Sequence, residues 1–391
     1  MREKSTRREE IIAAAFALTG EFSAWTLAEA AERVGVSKPA LYRHFKNKED
    51  IEDAMERYFI ESLIEAFDRS EGTPRALRES LRAFFRDNPG FLEFFVSRVF
   101  SCVNFEERTY RRLLERSVRV AAFHRYAEGL DGGARDRLSA EILKSAVSVI
   151  LASVREPGIE PLQRELLEAL ELGFPRLRVP GPERMAALDA AAALAPEEVA
   201  RENRLFSAIA ASVREHGFAG TTTERIAEKM GVTKSSLYFY YPTKEAMFEE
   251  LIRAEHETML ALWSPRIRLG KTLAEQLYAL MMVQTNYLLL RPDVMPVFNW
   301  IRFETVRDNH RPNSPERDEI PPLEGILIGD QFDGDGEESR KRAFSLIKWA
   351  SIMAISVALN GVKNADGPER IRNNARLVYR SMLLGDKALN E

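Results

Sequence analysis

The chain has 391 residues, 45% of them hydrophobic and 30% charged, with a net charge of −4 and a single cysteine, Cys102. That length exceeds one ordinary domain core and points to roughly two to four domains. The composition excludes global disorder, and the lone cysteine excludes an intrachain disulfide and fits a cytoplasmic setting. The acidic balance means that any nucleic-acid site must rest on local charge. The N-terminal MREKSTRREE is charged and has no apolar stretch of signal-peptide type after it. The most apolar stretch, Leu277 to Leu290, is interrupted by Gln284 and Asn286. It falls short of the about 20 apolar residues that a bilayer requires, so no membrane association is expected.

Taken in chain order, Thr26 caps a helix whose inner face carries Leu27, Ala30 and Ala31. Gly35 turns the chain, and Ser37 caps a short helix from Lys38 to His44. Helical periodicity then recurs over Leu77 to Phe85, Phe91 to Val103, Leu113 to Tyr126, Leu138 to Val154 and Leu162 to Leu172. Gly173, Pro175, Pro180, Gly181 and Pro182 punctuate the chain as a linker would. Leu205, Ala208, Ile209, Ser212 and Val213 form a helix ending at Gly217. Thr222 caps the next helix, Gly231 ends it, and Thr233 caps a short helix reaching Tyr240, stopped by Pro242. Further helices are expected over Leu273 to Leu290, Val294 to Val306, Ala343 to Leu359 and Ile371 to Leu384. No β-alternation is long enough to suggest a sheet.

The two halves repeat each other. Val34 to Tyr42 reappears as Met230 to Tyr238 at an offset of 196, and 11 of the 28 positions from 22 to 49 are identical. The connection after the first helix is about two residues shorter in the first copy. A period this long is a duplicated domain, not a solenoid. Two short helices joined by a glycine turn and braced by a third make a helix-turn-helix unit, whose second helix suits the major groove. Residues 33–48 hold Arg33, Lys38, Arg43, Lys46 and Lys48 and no acid; residues 225–244 hold Arg225, Lys229, Lys234 and Lys244 against Glu228. Such cations neutralise phosphates.

The strings TLAEAAERVGVSKPALYRHFKNK (26–48) and TTERIAEKMGVTKSSLYFYYPTK (222–244) resemble the TetR family of one-component repressors. The resemblance covers about 50 residues per half. It implies an all-α chain of two tandem units, each a three-helix DNA-binding head followed by a helical core for ligand binding and dimerisation. The expected boundaries are a head over 1–55, a core over 56–178, a linker over 179–196, a second head over 197–252 and a second core over 253–391. The function implied is a DNA-binding transcription regulator, a repressor relieved by a small-molecule effector. The alternative is an architectural or protein-interacting DNA binder without an inducer. The partners implied are an operator duplex and an effector. The two halves are expected to pair as a pseudo-dimer within one chain, and a homodimer is the rival arrangement.

Residue roles follow from the same resemblance. Tyr42 and Tyr238 match the family's phosphate-contacting tyrosine; Lys48 and Lys244 match its lysine at the start of the fourth helix. Thr26 and Thr222 are caps that could also meet phosphate. Ser37, Lys38, Pro39, Ala40, Arg43 and His44 occupy the start and exposed positions of one recognition helix; Thr233, Lys234, Ser235, Ser236, Phe239 and Tyr240 occupy those of the other. Lys or Arg suits guanine O6 and N7, and Pro or Ala suits a thymine methyl. Arg43 stands where an aromatic is common, so base reading and phosphate contact both stay open for it. Phe298, Trp300 and Arg302 are candidates for effector contact, and Phe84, Phe85, Phe91, Phe94 and Phe95 are candidates for a pocket or a packed core. No enzyme, metal or cofactor is expected. The five histidines are scattered without HExxH, Cys102 has no partner, and the calcium-like run from Asp333 places Glu338 where a glycine is required.

Overall fold

A computed structural model describes residues 6–19, 25–71, 74–101, 105–127, 135–140, 142, 145, 146, 149, 172–174, 176–199, 203–294, 297, 327, 336–363 and 366–385. Every regular element among the described residues is a helix. No described helix is long and apolar enough to cross a membrane. The chain divides into two compact units, 1–163 with Glu391 and 164–390.

Unit 1 contains α1 (Arg7–Thr19), α2 (Leu27–Val34), α3 (Lys38–Tyr42), α4 (Lys48–Asp68), α5 (Pro74–Asp87), α6 (Pro89–Ser101), α7 (Phe105–Arg116) and α8 (Val118–Ala127). One apolar core runs through them, from Ile11, Leu41 and Phe45 in the head to Phe59, Phe85 and Phe105 in the body. Phe59 on α4 is its centre, with the rings of Phe84, Phe91, Phe94, Phe95 and Phe105 at 5.5–6.3 Å in mostly tilted or edge-on contact. These aromatics are therefore chiefly core. The helix expected over Leu113 to Tyr126 is broken at Ser117, whose hydroxyl accepts from Val120 N at 3.2 Å and donates to Asp68 at 2.6 Å. Buried Glu56 on α4 receives both nitrogens of the Arg108 fork, at 2.9 and 3.2 Å. The head is thus tied to the body through one continuous helix.

Unit 2 contains α9 (Pro182–Ala192), α10 (Pro196–Val199), α11 (Arg204–Gly220), α12 (Thr223–Met230), α13 (Lys234–Tyr240), α14 (Lys244–Ile267), α15 (Leu273–Leu290), α16 (Gly336–Lys363) and α17 (Pro368–Leu384). α15 is buried almost throughout and packs on α9, α14, α16 and α17. Its internal polar groups are paired. Gln284 accepts from Ser351 at 2.8 Å, Asn286 donates to Ala192 O at 2.9 Å, and Asn286 accepts from Arg372 at 2.8 Å. Unpaired, such groups would penalise burial by about 1–3 kcal/mol each.

The segment expected as a linker, 179–196, is largely packed structure. Gly181 and Pro182 are the N-cap and first residue of α9, and Leu188 and Ala192 are buried. Arg184 bridges to Glu275 at 2.8 Å, while Asp189 accepts from Tyr278 at 2.7 Å and pairs with Arg376 at 3.0 Å. Phe174 N donates to Leu383 O at 2.8 Å, so residues 172–174 and 176–178, expected in the first core, belong to unit 2 instead. The helices expected over Leu138 to Val154, Leu162 to Leu172 and Val294 to Val306 fall wholly or largely outside the described residues.

Gly35 and Gly231 adopt φ of 72° and 68°, and their amides close each second helix onto carbonyls three and four residues back. An added Cβ at either would meet nothing within 4 Å, so a substitution is opposed by the backbone alone. Gly35→Ala and Gly231→Ala are each expected to destabilise their head by about 1–2 kcal/mol. Urea denaturation of each variant is the check, and an alanine variant as stable as the parent would contradict a left-handed turn.

Candidate nucleic-acid interface

In the first head, Thr26 accepts from Glu29 N at 3.3 Å while the Glu29 carboxylate receives Thr26 N at 2.6 Å. This reciprocal cap fixes the start of α2. Ser37 Oγ accepts from Ala40 N at 3.3 Å and starts α3, with Pro39 in its first turn. Leu41 and Phe45 are fully buried and pin α3 to the core. The helix is shorter than expected and ends at Tyr42. His44 N bonds back to Leu41 O at 2.9 Å, a tightened last turn that swings Phe45 inward. Arg43 and His44 therefore lie in a turn and not on the helix.

The outward face of this head carries the predicted cations. Lys38, Pro39 and Arg43 are exposed, Tyr42 is 47% exposed, and Ala40 and His44 are half-buried. No ion pair engages Lys38, Arg43 or Lys46 among the described residues. Lys48 sits 4.6 Å above the Trp25 ring and 3.7 Å from Glu52, which holds its ammonium at the start of α4. Two residues overlooked in the sequence support this face. Arg8 donates to His44 O at 2.8 Å and lies 4.2 Å over Phe45, and buried Trp25 is the platform for Lys48. Trp25, beside the Thr26 cap, was the available signal.

The second head repeats the frame with other chemistry. Thr222 accepts from Arg225 N at 3.4 Å, but Arg225 stands where Glu29 stands in the first copy, so no reciprocal cap forms. Thr233 accepts from Ser236 N at 3.0 Å, and buried Leu237 pins α13. Lys234 and Ser235 are exposed, and Ser236 and Lys244 are half-buried. Tyr238 is 36%, Phe239 83% and Tyr240 70% exposed. Lys244 Nζ lies 6.0 Å over the Phe248 ring. Lys234 pairs with Glu224, at the start of α12, and lies 5.9 Å over Tyr238. Sequence reading missed Glu224; aligning the copies places Ala28 opposite it.

The hydrogen bond from Lys234 lowers the Glu224 pKa to about 2, with help from the backbone. A depressed carboxyl pKa means the pair contributes above the unfolded value and is lost only as pH falls toward about 2. Acidification from pH 8 to 5 therefore leaves Lys234 engaged.

Unit 1 also holds a small, partly open cavity of about 20 Å³, walled by Phe95, Phe105, Tyr110, Leu113, Leu138 and Ile142. Thr109 lines it with a buried hydroxyl that has no hydrogen-bond partner among the described residues. Tyr110 OH lies 2.6 Å from His124 Nδ1. Phe298, Trp300 and Arg302, the effector candidates, lie outside the described residues.

Residues 11–55 and 205–251 each match the domain described as "Bacterial regulatory proteins, tetR family". The offset between copies is 194 where the matches begin and 196 where they end, which is the two-residue difference after the first helix. The chain is 37% identical over 62 residues to the HTH-type transcriptional regulator RutR of Escherichia coli (strain K12), covering 16% of this chain and 29% of RutR. It is 32% identical over 80 residues to the nucleoid occlusion factor SlmA of Actinobacillus pleuropneumoniae serotype 5b (strain L20), covering 20% of this chain and 40% of SlmA. The SlmA of Haemophilus ducreyi is 44% identical over 45 residues, 12% of this chain and 22% of SlmA. The chain thus spans less than half the length of these relatives.

The caps carry a prediction of their own. Ser37→Ala and Thr233→Ala should each destabilise their head by about 1 kcal/mol, and Thr233→Ser should restore most of that. Thermal unfolding is the measurement, and an alanine variant melting with the parent would count against the capping role.

Proposed function

Because the chain belongs to the tetR family of bacterial regulatory proteins and carries the family's domain twice in tandem, we propose that it is a sequence-specific DNA-binding transcription regulator whose two heads read one operator. The observation that carries this is the same frame built twice. In each head a short capped helix is pinned by one buried leucine, Leu41 or Leu237, and presents its remaining residues to solvent. Such a helix can lay its first residues against base edges while neighbouring groups meet phosphate. On this reading Tyr42, Lys48, Tyr238 and Lys244, with the Thr26 and Thr222 caps, position the heads. Lys38, Pro39, Ala40, Arg43 and His44 read bases in one head, and Ser235, Ser236, Phe239 and Tyr240 read them in the other, where Lys234 stands at the same face paired with Glu224. One chain then carries the two readers that a symmetric dimer obtains from two chains, so one chain should occupy one operator.

We further propose that the regulator is a repressor relieved by a small apolar molecule bound in unit 1. The apolar walls of the cavity and the unpartnered Thr109 hydroxyl support this reading; the gap has room for about one water, so a ligand would have to widen it. Phe95 and Phe105 wall the cavity and also touch Phe59 on α4, the helix that begins at Lys48. A ligand shifts the heads only if it binds their DNA-free arrangement more tightly. The likeness to proteins named nucleoid occlusion factor favours a second reading, a DNA-bound factor without an effector. Thr109→Leu, which fills the cavity, separates the two: it should abolish ligand release and leave DNA affinity unchanged.

Selection of bound sequences from random duplex DNA by the full chain tests the main reading. Lys48→Ala should weaken binding to all sequences alike and reduce the salt slope by about one, whereas Lys38→Ala should change the selected bases. Lys48→Ala binding with parental affinity and salt dependence would refute the assigned docking. A mass of two chains per operator in solution would refute the stoichiometry.

A further inference from the structure

The two heads share a frame but not a chemistry, and the difference concentrates on a few matched positions. Where the first head places Arg43 and His44, the second places Phe239 and Tyr240. The first pair sits in a turn after a five-residue helix; the second is carried on the last turn of a seven-residue helix. Phe239 and Tyr240 meet edge-on with ring centroids 5.6 Å apart, and both stay largely exposed. Large apolar side chains left in water on a short helix suit an apolar surface that the helix meets in use.

The charge differs in the same direction. The first head has Lys38, Arg43 and Lys46 on its face with no ion pair among the described residues. In the second head Lys234 is held by Glu224 and Lys229 by Glu215. Glu224 lies in the first turn of α12, next to the Thr222 cap, where the first head has Ala28. A carboxylate there opposes a phosphate and keeps Lys234 from guanine O6 and N7, the atoms a lysine otherwise favours.

We propose that the two heads read half-sites of opposite chemistry. The first takes a guanine-containing half through Lys38 and Arg43, and the second takes a thymine-rich half by seating Phe239 and Tyr240 on 5-methyl groups in the major groove. Glu224 is a specificity-determining residue of the second head, because it withdraws Lys234 from guanine and phosphate. The thymine methyl is the one apolar feature that the major groove displays, so it is the matching surface for these rings. This inference rests on the regulator reading above.

Its test removes the methyl and nothing else. The full chain first selects its operator from random duplex DNA. Deoxyuridine then replaces thymine in one half-site or the other. Substitution in the half read by the second head should weaken binding about fourfold for each methyl lost, the value of one buried methyl-sized group. The same substitution should be silent in Phe239→Ser and Tyr240→Ser, whose sites are exposed and whose folds should persist. Glu224→Ala should steepen the salt dependence by about one and admit guanine into that half. If the selected operator is palindromic, or if deoxyuridine weakens the parent and the serine variants equally, the half-site inference fails while the regulator reading stands. A parent indifferent to deoxyuridine in both halves fails it too, and leaves the rings to a protein partner. If the full chain selects no sequence, both fail together.

Discussion

Both heads depend on a helix too short to support itself. α3 has five residues and α13 seven, well under the about 12 at which an isolated helix becomes even marginal in water. Three things hold each one: a hydroxyl on its first turn, a left-handed glycine that delivers the chain at the right angle, and one leucine at or near zero exposure. Burying that leucine contributes roughly 1.5–3 kcal/mol, comparable to everything else the short helix has. The other residues of the helix do little for stability. They and the residues just after them are free to differ, Pro39 and Ala40 against Ser235 and Ser236, and Arg43 against Phe239.

The bodies behind the heads solve a different problem. In unit 1, α4 runs from Lys48 at the head to Phe59 in the aromatic core, with Arg108 locked on Glu56 between. A change at the cavity wall therefore meets one stiff element that reaches the head. In unit 2, α15 is buried on nearly all sides and carries Gln284, Thr285 and Asn286 inside the core. Each finds a partner, and two of those bonds reach α9 and α17. α9 thus completes the core of the second unit, although it precedes the second head in the chain.

What was legible follows from which interactions are local. The caps at Thr26, Ser37, Thr222 and Thr233 and the turns at Gly35 and Gly231 each require a particular residue within three or four positions, so the repeat announced both heads. The burial pattern of α15 was likewise readable from its run of apolar residues. The segment before the second head was misread because Gly181 and Pro182 punctuate a helix start as readily as a linker. The bonds that settle the matter, Asp189 to Tyr278 and Arg376, span 89 and 187 residues. The break at Ser117 was hidden for a similar reason: its hydroxyl answers to Asp68, 49 residues away. Glu224 lay within reach of sequence reasoning, since setting the copies side by side shows Ala28 opposite it.

Duplication within one chain changes what selection can act on. When a reader is assembled from two identical chains, any substitution on the recognition helix alters both heads, and the operator must stay symmetric. Here Arg43 and Phe239, or Ala28 and Glu224, occupy matched positions and differ. The frame residues, Leu41 with Leu237 and Gly35 with Gly231, are the same in both copies because the same physical requirement acts on each. Face residues such as Arg43 and Phe239 differ because no such requirement binds them. A tandem chain can therefore hold one head to electrostatic anchoring and turn the other toward apolar contact, a division of labour closed to a symmetric pair.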